Sequence, residues 1–235
     1  MEHVGKIFMP GDVLSNLQAS QKSGKVVLGP GLKCDNDSVF VNKPGVLKHK
    51  EPNFYWIDSH QKKYVPTRGE HVLGVVTNRM GDVYRVDIRG SEPASLSFLS
   101  FEGATKRNRP DIKIGDLVYG KLLCANKDIE PEMVCIDSTG RSNGMGVISC
   151  NGGFMFTCSL NHIRKILSPQ FNLLKTLGNS LPFEVAVGMN GRIWVKGRSI
   201  KETIAIVNGL NSVEYMDTNE IKVMCRKLLD TLAGF

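Results

Sequence analysis

Short apolar stretches separated by turns rich in glycine, proline and asparagine dominate the first 150 residues of the chain. The longest, such as Val72–Val76, fall far short of the roughly 18 to 20 apolar residues that a membrane span requires. Residues 84–88 alternate between apolar and polar with period two, which is typical of half-buried β-strands. The pattern therefore predicts small β units and no membrane partner.

Residues 1–65 are predicted to form a small N-terminal β domain. The strand candidates are Val39–Val41, Gly45–Leu47 and Tyr55–Asp58. Gly11 lies in a turn-rich stretch, where glycine supplies a positive φ or allows close backbone approach. We therefore expect Gly11 to have a structural role.

Residues 66–145 are predicted to form a five-stranded OB barrel. A hairpin turn at Met80–Asp82 joins the first two strands, and a long loop joins the third and fourth, as in OB folds. Loops and edges of such barrels commonly bind single-stranded nucleic acid. The predicted strands are His71–Thr77, Val83–Ile88, Ala94–Ser97, Leu117–Ala125 and Glu132–Ile136.

Residues 146–235 change to a mixed helix and strand pattern. Gly146–Ile148 and Phe154–Thr157 are predicted to pair as a hairpin around Asn151, Gly152 and Gly153. The following order, two helices, two strands and a helix, is that of a KH domain. The predicted segments of this order are Leu160–Leu167, Gln170–Leu177, Phe183–Val187, Arg192–Lys196 and Ser199–Asn208, and a last helix spans Asn219–Leu232. The fold class is therefore mainly β with an α+β C-terminal part.

The chain carries a mild positive charge. Its 30 Lys and Arg exceed its 23 Asp and Glu by 7, an excess that fits contact with a polyanion without requiring it. The six cysteines and five histidines are scattered, so we expect no metal and no cofactor. The start of the chain lacks the pattern of a signal peptide, and we expect an intracellular, soluble protein.

Seven motifs in order resemble a known family. They are Pro10–Asp12, Leu28–Gly31, Tyr64–Pro66, Ser97–Phe101, Lys106–Pro110, Gly115–Tyr119 and Gly188–Lys196. Together they are similar to the eukaryotic RNA exosome cap subunits called exosome component three, or ribosomal-RNA-processing protein forty. The resemblance runs from about Phe8 to the last helix. It implies an N-terminal β domain, an OB fold of the ribosomal-protein-S-one (S1) type and a KH domain.

The resemblance also implies a non-catalytic role. Such subunits sit on a ring of phosphorolytic-ribonuclease-like proteins beside other cap subunits, and help to frame the pore through which single-stranded RNA enters. Separate 3′→5′ exoribonuclease subunits cleave the RNA, so contact with them would be indirect. The resemblance implies localisation to nucleus, nucleolus and cytoplasm.

The long loop of the OB barrel carries the candidate RNA-binding residues Lys106, Arg107 and Arg109. Basic groups follow phosphates, and aromatic rings can stack on bases. The alternative is a solvated loop, with Phe98 and Phe101 in the core. Tyr84 on the second strand is a further candidate for contact with RNA.

The tetrad Gly188–Gly191 matches the G-x-x-G loop that clamps RNA in KH domains. That loop normally joins two helices, whereas this tetrad lies between two predicted strands. There, Asn190-Gly191 favours a hairpin turn with positive φ at both residues. We therefore predict a structural role for Gly188, Asn190 and Gly191, with an RNA clamp as the alternative. The neighbouring Arg192 and Lys196 remain candidates for contact with RNA.

Trp194 and Asp87 are predicted to be structural. Trp194 alternates with apolar residues on a strand and is expected to anchor the core or a domain contact. Asp87 lies between Arg85 and Arg89 and is expected to pair with one of them.

No phosphate-binding loop, zinc-protease motif or serine-nucleophile elbow occurs in the sequence, so we predict no enzyme. The acidic stretch Asp128–Glu132 is expected to be a solvated turn, which argues against a metal-dependent nuclease. A free-standing RNA-binding protein of the translation-factor type remains the alternative. The short connections and the missing glycine clamp favour a rigid part of an assembly.

Overall fold

The computed structural model describes residues 3–14, 26–35, 38–126, 128–149, 152–169, 173–179 and 181–233. The chain divides into two compact units, Met1–Gln61 and Lys62–Phe235.

The first unit is a small β domain. Its strands are β1 (Ile7–Phe8), β2 (Val27–Leu28), β3 (Leu32–Asp35), β4 (Ser38–Val41), β5 (Gly45–Lys50) and β6 (Phe54–Asp58). One sheet has the order β1-β5-β6-β2, and β3 pairs with β4. The three strand candidates of this region each lie within an observed strand. Its core contains Leu14, Val39, Val41, Leu47, Tyr55 and Ile57.

Gly11 has a φ of +99°, and its N–H donates to the carbonyl of Val41 at 2.8 Å. A Cβ atom at this position would meet no atom within 4 Å. The turn therefore requires glycine because of the backbone angle and not because of crowding.

The second unit begins with a closed barrel. Its strands are β7 (His71–Met80), β8 (Val83–Asp87), β9 (Ala94–Ser97), β10 (Leu117–Asn126) and β11 (Ile129–Val134). They have the order β11-β9-β8-β7-β10, and pairing of β10 with β11 closes the barrel. This is the five-stranded topology that the sequence predicts. The interior contains Val72, Val76, Tyr84, Val86, Ile88, Leu96, Leu122 and Met133.

The predicted hairpin between Gly146–Ile148 and Phe154–Thr157 is wrong. Strand β12 (Gly146–Ile148) pairs with β10 of the barrel, with Val147 opposite Val118. Strand β13 (Phe154–Thr157) joins a different sheet. Strands β12 and β13 therefore belong to different sheets, and Asn151 of the predicted turn lies outside the described residues.

The remainder of the second unit has the order of a KH domain. Strand β13 is followed by α1 (Leu160–Leu167), α2 (Leu173–Gly178), β14 (Glu184–Gly188), β15 (Arg192–Lys196), α3 (Ile200–Ser212) and α4 (Thr218–Ala233). The sheet has the order β13-β15-β14, with β15 antiparallel to both neighbours. The core between sheet and helices includes Ile163, Leu177, Ile193, Ile206 and Leu210.

Hydroxyl caps explain where two of these helices begin. Ser159 accepts a hydrogen bond from the N–H of His162 at 3.1 Å, and Ser199 accepts one from the N–H of Glu202 at 3.2 Å. Each bond satisfies an N–H group that the first turn of a helix leaves unpaired. Ser199, the first residue of the predicted segment, is therefore the cap, and the helix continues beyond Asn208 to Ser212.

Among the described residues, no helix is long and apolar enough to cross a membrane. The same residues contain no group of three or more histidine, cysteine, aspartate or glutamate side chains that could hold a metal ion. Cys124, Cys135, Cys158 and Cys225 are free thiols.

Candidate nucleic-acid interface

The loop between β9 and β10 presents basic side chains to solvent. Lys106 and Arg107 are exposed. Hydrogen bonds within the loop order their neighbours, since the N–H of Thr105 donates to the carbonyl of Asn108 at 2.9 Å and Thr105 Oγ1 accepts from the N–H of Asn108 at 3.0 Å. The loop therefore holds two cations at the surface on a structured backbone.

Arg109 of the same loop is partly engaged by the protein. Its Nη1 lies 2.8 Å from Oδ1 of Asp82, and its guanidinium lies 4.7 Å from the ring centroid of Phe98. Phe98 is buried, and Phe101 packs partly buried against the barrel core. The structure thus places both rings in packing roles, and the basic side chains rather than these rings face solvent.

Sequence reasoning missed one basic residue at this end of the barrel. Arg79 is exposed near the tip of the β7–β8 hairpin, and its guanidinium lies 5.6 Å from the ring centroid of Tyr84. The hairpin touches the long loop, because the carbonyl of Asp82 accepts from the N–H of Phe98 at 3.2 Å. The turn predicted at Met80–Asp82 directly follows Arg79 and was the sequence signal that could have placed this residue at the surface. We call Arg79, Lys106, Arg107 and Arg109 the basic rim.

Tyr84 lies inside the barrel and not at its surface. Its side chain is 2% exposed and belongs to the barrel core. Tyr84 shares its face of β8 with Val86 and Ile88, which are also buried. The prediction of RNA contact at Tyr84 is therefore corrected, since a ring inside the barrel offers no face to a base.

The prediction of RNA contact at Arg192 is also corrected. It is 7% exposed, and its Nη2 lies 2.5 Å from Oδ2 of Asp87. Asp87 therefore pairs with Arg192, and neither Arg85 nor Arg89 supplies the expected ion pair. Arg85 pairs with Glu130, while the backbone N–H of Arg89 donates to Asp87 Oδ1 at 2.9 Å.

The electrostatics of Asp87 agree with this pairing. Burial alone raises the pKa of the Asp87 carboxyl, but the N–H of Arg89 and the guanidinium of Arg192 outweigh burial and hold that pKa below its ordinary value. The carboxylate is therefore charged at neutral pH. It links β8 of the barrel to β15 of the KH sheet.

Lys196 lies at the end of β15. It is half-buried and opposite Glu184 of β14, in a different sheet from the basic rim.

The tetrad Gly188–Gly191 forms a turn between β14 and β15. The N–H of Gly191 donates to the carbonyl of Gly188 at 3.2 Å, and Gly191 has a φ of +83°. Asn190 does not have the positive φ that the sequence predicts for it. The turn is a three-residue loop whose last residue, Gly191, has a left-handed backbone conformation.

Asn190 joins this turn to the barrel. Its side chain is fully buried, and Nδ2 donates to the carbonyls of Leu73 and Ile88 at 2.8 and 3.0 Å. Its Oδ1 accepts from the N–H of Leu73 at 3.3 Å. A Cβ atom at Gly188 would lie 2.3 Å from this Oδ1. The tetrad therefore contacts the barrel. The side-chain amide of Asn190 is used in this contact and is not available to bind RNA.

Trp194 completes the contact between the barrel and the KH sheet. It is 5% exposed and clusters with Leu73 of β7 and Leu117 of β10. A Cβ atom at Gly153 would lie 2.4 Å from the indole, so the backbone passes directly over the ring. We call Asn190, Arg192 and Trp194, with their barrel partners, the domain contact.

Comparison with known proteins gives matches along most of the chain. The family model described as the S1 domain of exosome complex component RRP40 matches residues 64–146, and a KH-domain model matches residues 153–201. The N-terminal model of mammalian exosome complex component RRP40 matches residues 6–60.

Individual relatives agree with these models. Exosome complex component RRP40 of Bos taurus is 50% identical over 219 residues, which cover 91% of this chain and 79% of the relative. The protein of the same name from Drosophila melanogaster is 45% identical over 232 residues, 99% of each chain.

A solved structure is similar in fold. It is the crystal structure of a protein proposed to be an exosome complex RNA-binding protein, with a TM-score of 0.59 and 21% identity. The match covers 71% of this chain and 97% of the other.

Proposed function

This chain belongs to the family of exosome complex component RRP40, and from that premise we propose that it is a non-catalytic, RNA-binding cap subunit of an RNA exosome. In this role it helps to assemble the complex and guides single-stranded RNA into the central channel. The RNA is then processed or degraded from its 3′ end in rRNA processing, RNA surveillance and mRNA turnover.

The domain contact is the observation that most supports a part of a rigid assembly. The Gly188–Gly191 tetrad, which matches the G-x-x-G pattern but joins two strands, is turned toward the barrel, where Asn190 bonds to Leu73 and Ile88. Arg192 likewise forms an ion pair with Asp87 of the barrel. Because Asn190 and Arg192 are used inside the protein, we expect strong binding of RNA to require the neighbouring subunits of the assembly.

We further propose its partners and location. The partners are the phosphorolytic-ribonuclease-like ring subunits, the other cap subunits and single-stranded RNA, with indirect contact to the catalytic exoribonuclease subunits. The expected locations are nucleus, nucleolus and cytoplasm. The family membership supports these partners and locations. The excess of 7 positive charges fits contact with RNA.

The basic rim supplies a direct test of RNA guidance. We expect the double change Lys106→Glu and Arg107→Glu to weaken crosslinking of single-stranded RNA to the assembled complex and to slow its degradation severalfold. The reason is that two exposed cations that can follow phosphates become anions that repel them. Assembly should be unchanged, since both side chains are exposed.

A matched control distinguishes an effect of the basic rim from an effect of the net charge of the protein. Lys222→Glu with Arg226→Glu changes two exposed residues of α4 and alters net charge by the same amount. We expect this control to behave like the unaltered chain. Equal crosslinking and degradation in both double variants would contradict a role of the rim in guiding RNA.

A further inference from the structure

The outer face of the barrel carries an aromatic pair beside the domain contact. The rings of His71 and Tyr119 are stacked, with centroids 5.8 Å apart and planes inclined by 22°. His71 is exposed and Tyr119 is half-buried. The pair presents an aromatic surface that is open to solvent on the His71 side.

Strand register explains why these side chains meet. Lys121 of β10 lies directly opposite His71 of β7, and Tyr119 lies two residues from Lys121. Residues two apart on a strand share a face. His71, Tyr119 and Lys121 therefore share the outer face, while Val72 and Leu122, which follow His71 and Lys121, are fully buried inside the barrel.

The domain contact holds both aromatic residues in place. Tyr119 packs against the cluster of Leu73, Leu117 and Trp194. The carbonyl of His71 accepts from the N–H of Met189 in the KH turn at 2.9 Å. Because the aromatic surface is already ordered, a ligand that stacks on it loses little additional conformational freedom in the protein.

The charges around the pair suit a nucleic acid. Lys121 is exposed beside His71. Burial lowers the pKa of His71, and the positive charge of Lys121 lowers it further, so the imidazole is a neutral ring at pH 7.

Glu70, the carboxylate that precedes His71 in the sequence, has its own partners. The hydroxyl of Tyr64 donates to Glu70 Oε2 at 2.6 Å. Burial raises the pKa of Glu70, while this hydrogen bond and the nearby charge of Arg164 on α1 oppose the rise. The carboxylate beside His71 is therefore already engaged by Tyr64 and lies near the positive charge of Arg164.

Other rings of the barrel do not offer this surface. Among the described residues 62–149, Tyr64, Tyr84 and Phe98 are buried, and Phe101 packs against the core. His71 and Tyr119 are thus the stacked pair on the outside of the described barrel.

We propose that His71 and Tyr119 form a stacking site for a base of single-stranded RNA, with Lys121 contacting the adjacent phosphate. The inference rests on the proposed RNA-binding function and adds a site that is separate from the basic rim. His71 begins β7 and Arg79 lies near its other end, about 26 Å away at the usual rise of a strand. RNA that reaches both places would cross the length of the barrel.

The test is a histidine footprint on the complex purified through the tagged full chain. Diethylpyrocarbonate modification of His71 is followed by mass spectrometry while a uridine-rich single-stranded RNA of about 12 nucleotides is titrated. We expect RNA to protect His71 and to leave the exposed His60, the internal control, unchanged. Tyr119→Leu should raise the RNA concentration for half-protection about fivefold or more, whereas Tyr119→Phe keeps the ring and should have little effect.

Several results would overturn the site. Two of these are modification of His71 at the same rate with and without RNA, and unchanged protection of His71 in the Tyr119→Leu variant. Protection of His71 in the ribonuclease-treated complex would instead assign this face to a protein partner. Crosslinking of RNA at the basic rim without protection of His71 would reject the site and retain the proposed function. Loss of both signals would reject both.

Discussion

Replacing Trp194 by arginine is expected to remove at least about 4 kcal/mol from the free energy of unfolding of the Lys62–Phe235 unit. The indole fills the apolar cluster with Leu73 and Leu117 at 5% exposure. Arginine would leave part of that space empty and bring a charge into an apolar site. Because domains are stable by only about 5–15 kcal/mol, we expect lower soluble yield and poorer incorporation into the complex.

The matched control is Trp194→Phe. Among the described residues, no atom accepts a hydrogen bond from Trp194 Nε1, so phenylalanine would lose packing but no polar contact. We expect a loss well below that of arginine, measured by urea unfolding and thermal melting of both variants. Normal thermal stability and normal incorporation of Trp194→Arg would contradict the assignment of Trp194 as an anchor of the domain contact.

The second large effect is expected for Asn190→Leu. This change removes the partner of three buried backbone groups, namely the carbonyls of Leu73 and Ile88 and the N–H of Leu73. A buried polar group left without a partner costs about 1–3 kcal/mol. We therefore expect a loss of about 3 kcal/mol or more in the free energy of unfolding, measured by urea denaturation.

Asn208→Leu on the exposed face of α3 is the matched control and should change stability by less than about 0.5 kcal/mol. Hydrogen exchange adds a local measurement, because the Leu73 amide should exchange faster in Asn190→Leu than in the control. If both variants unfold at the same urea concentration, Asn190 does not hold the barrel and the KH sheet together.

Much of the fold could be predicted because it depends on local patterns. The strands Ala94–Ser97, Phe154–Thr157 and Arg192–Lys196 have the predicted bounds. Alternating apolar residues, flanking turn residues and the hydroxyl cap at Ser199 act over a few positions, so they can be recognised in one sequence.

Pairing between distant segments could not be predicted in the same way. Gly146–Ile148 and Phe154–Thr157 have the sequence pattern of a hairpin, yet they belong to different sheets. Gly146–Ile148 pairs with β10 because an edge of β10 is open to it in the folded barrel. The sequence near Gly146 does not indicate that this edge exists.

The site shows the same limit with one exception. Arg192 and Asp87 lie 105 residues apart, so their ion pair leaves no trace in spacing. Asn190 is likewise recognised locally as a turn residue, whereas its three bonds to the barrel depend on the tertiary fold. Tyr84 is the exception, because its shared face with Val86 and Ile88 already indicated the barrel interior.

The proposed function makes this chain an integral, non-catalytic subunit of an RNA exosome. Native mass spectrometry of the tagged chain purified from its own cells, with and without ribonuclease, tests that claim most directly. We expect the chain in a stable complex of many different subunits whose composition does not change when RNA is digested. Recovery of the chain alone, or loss of its partners on ribonuclease treatment, would contradict the claim and favour an independent RNA-binding protein.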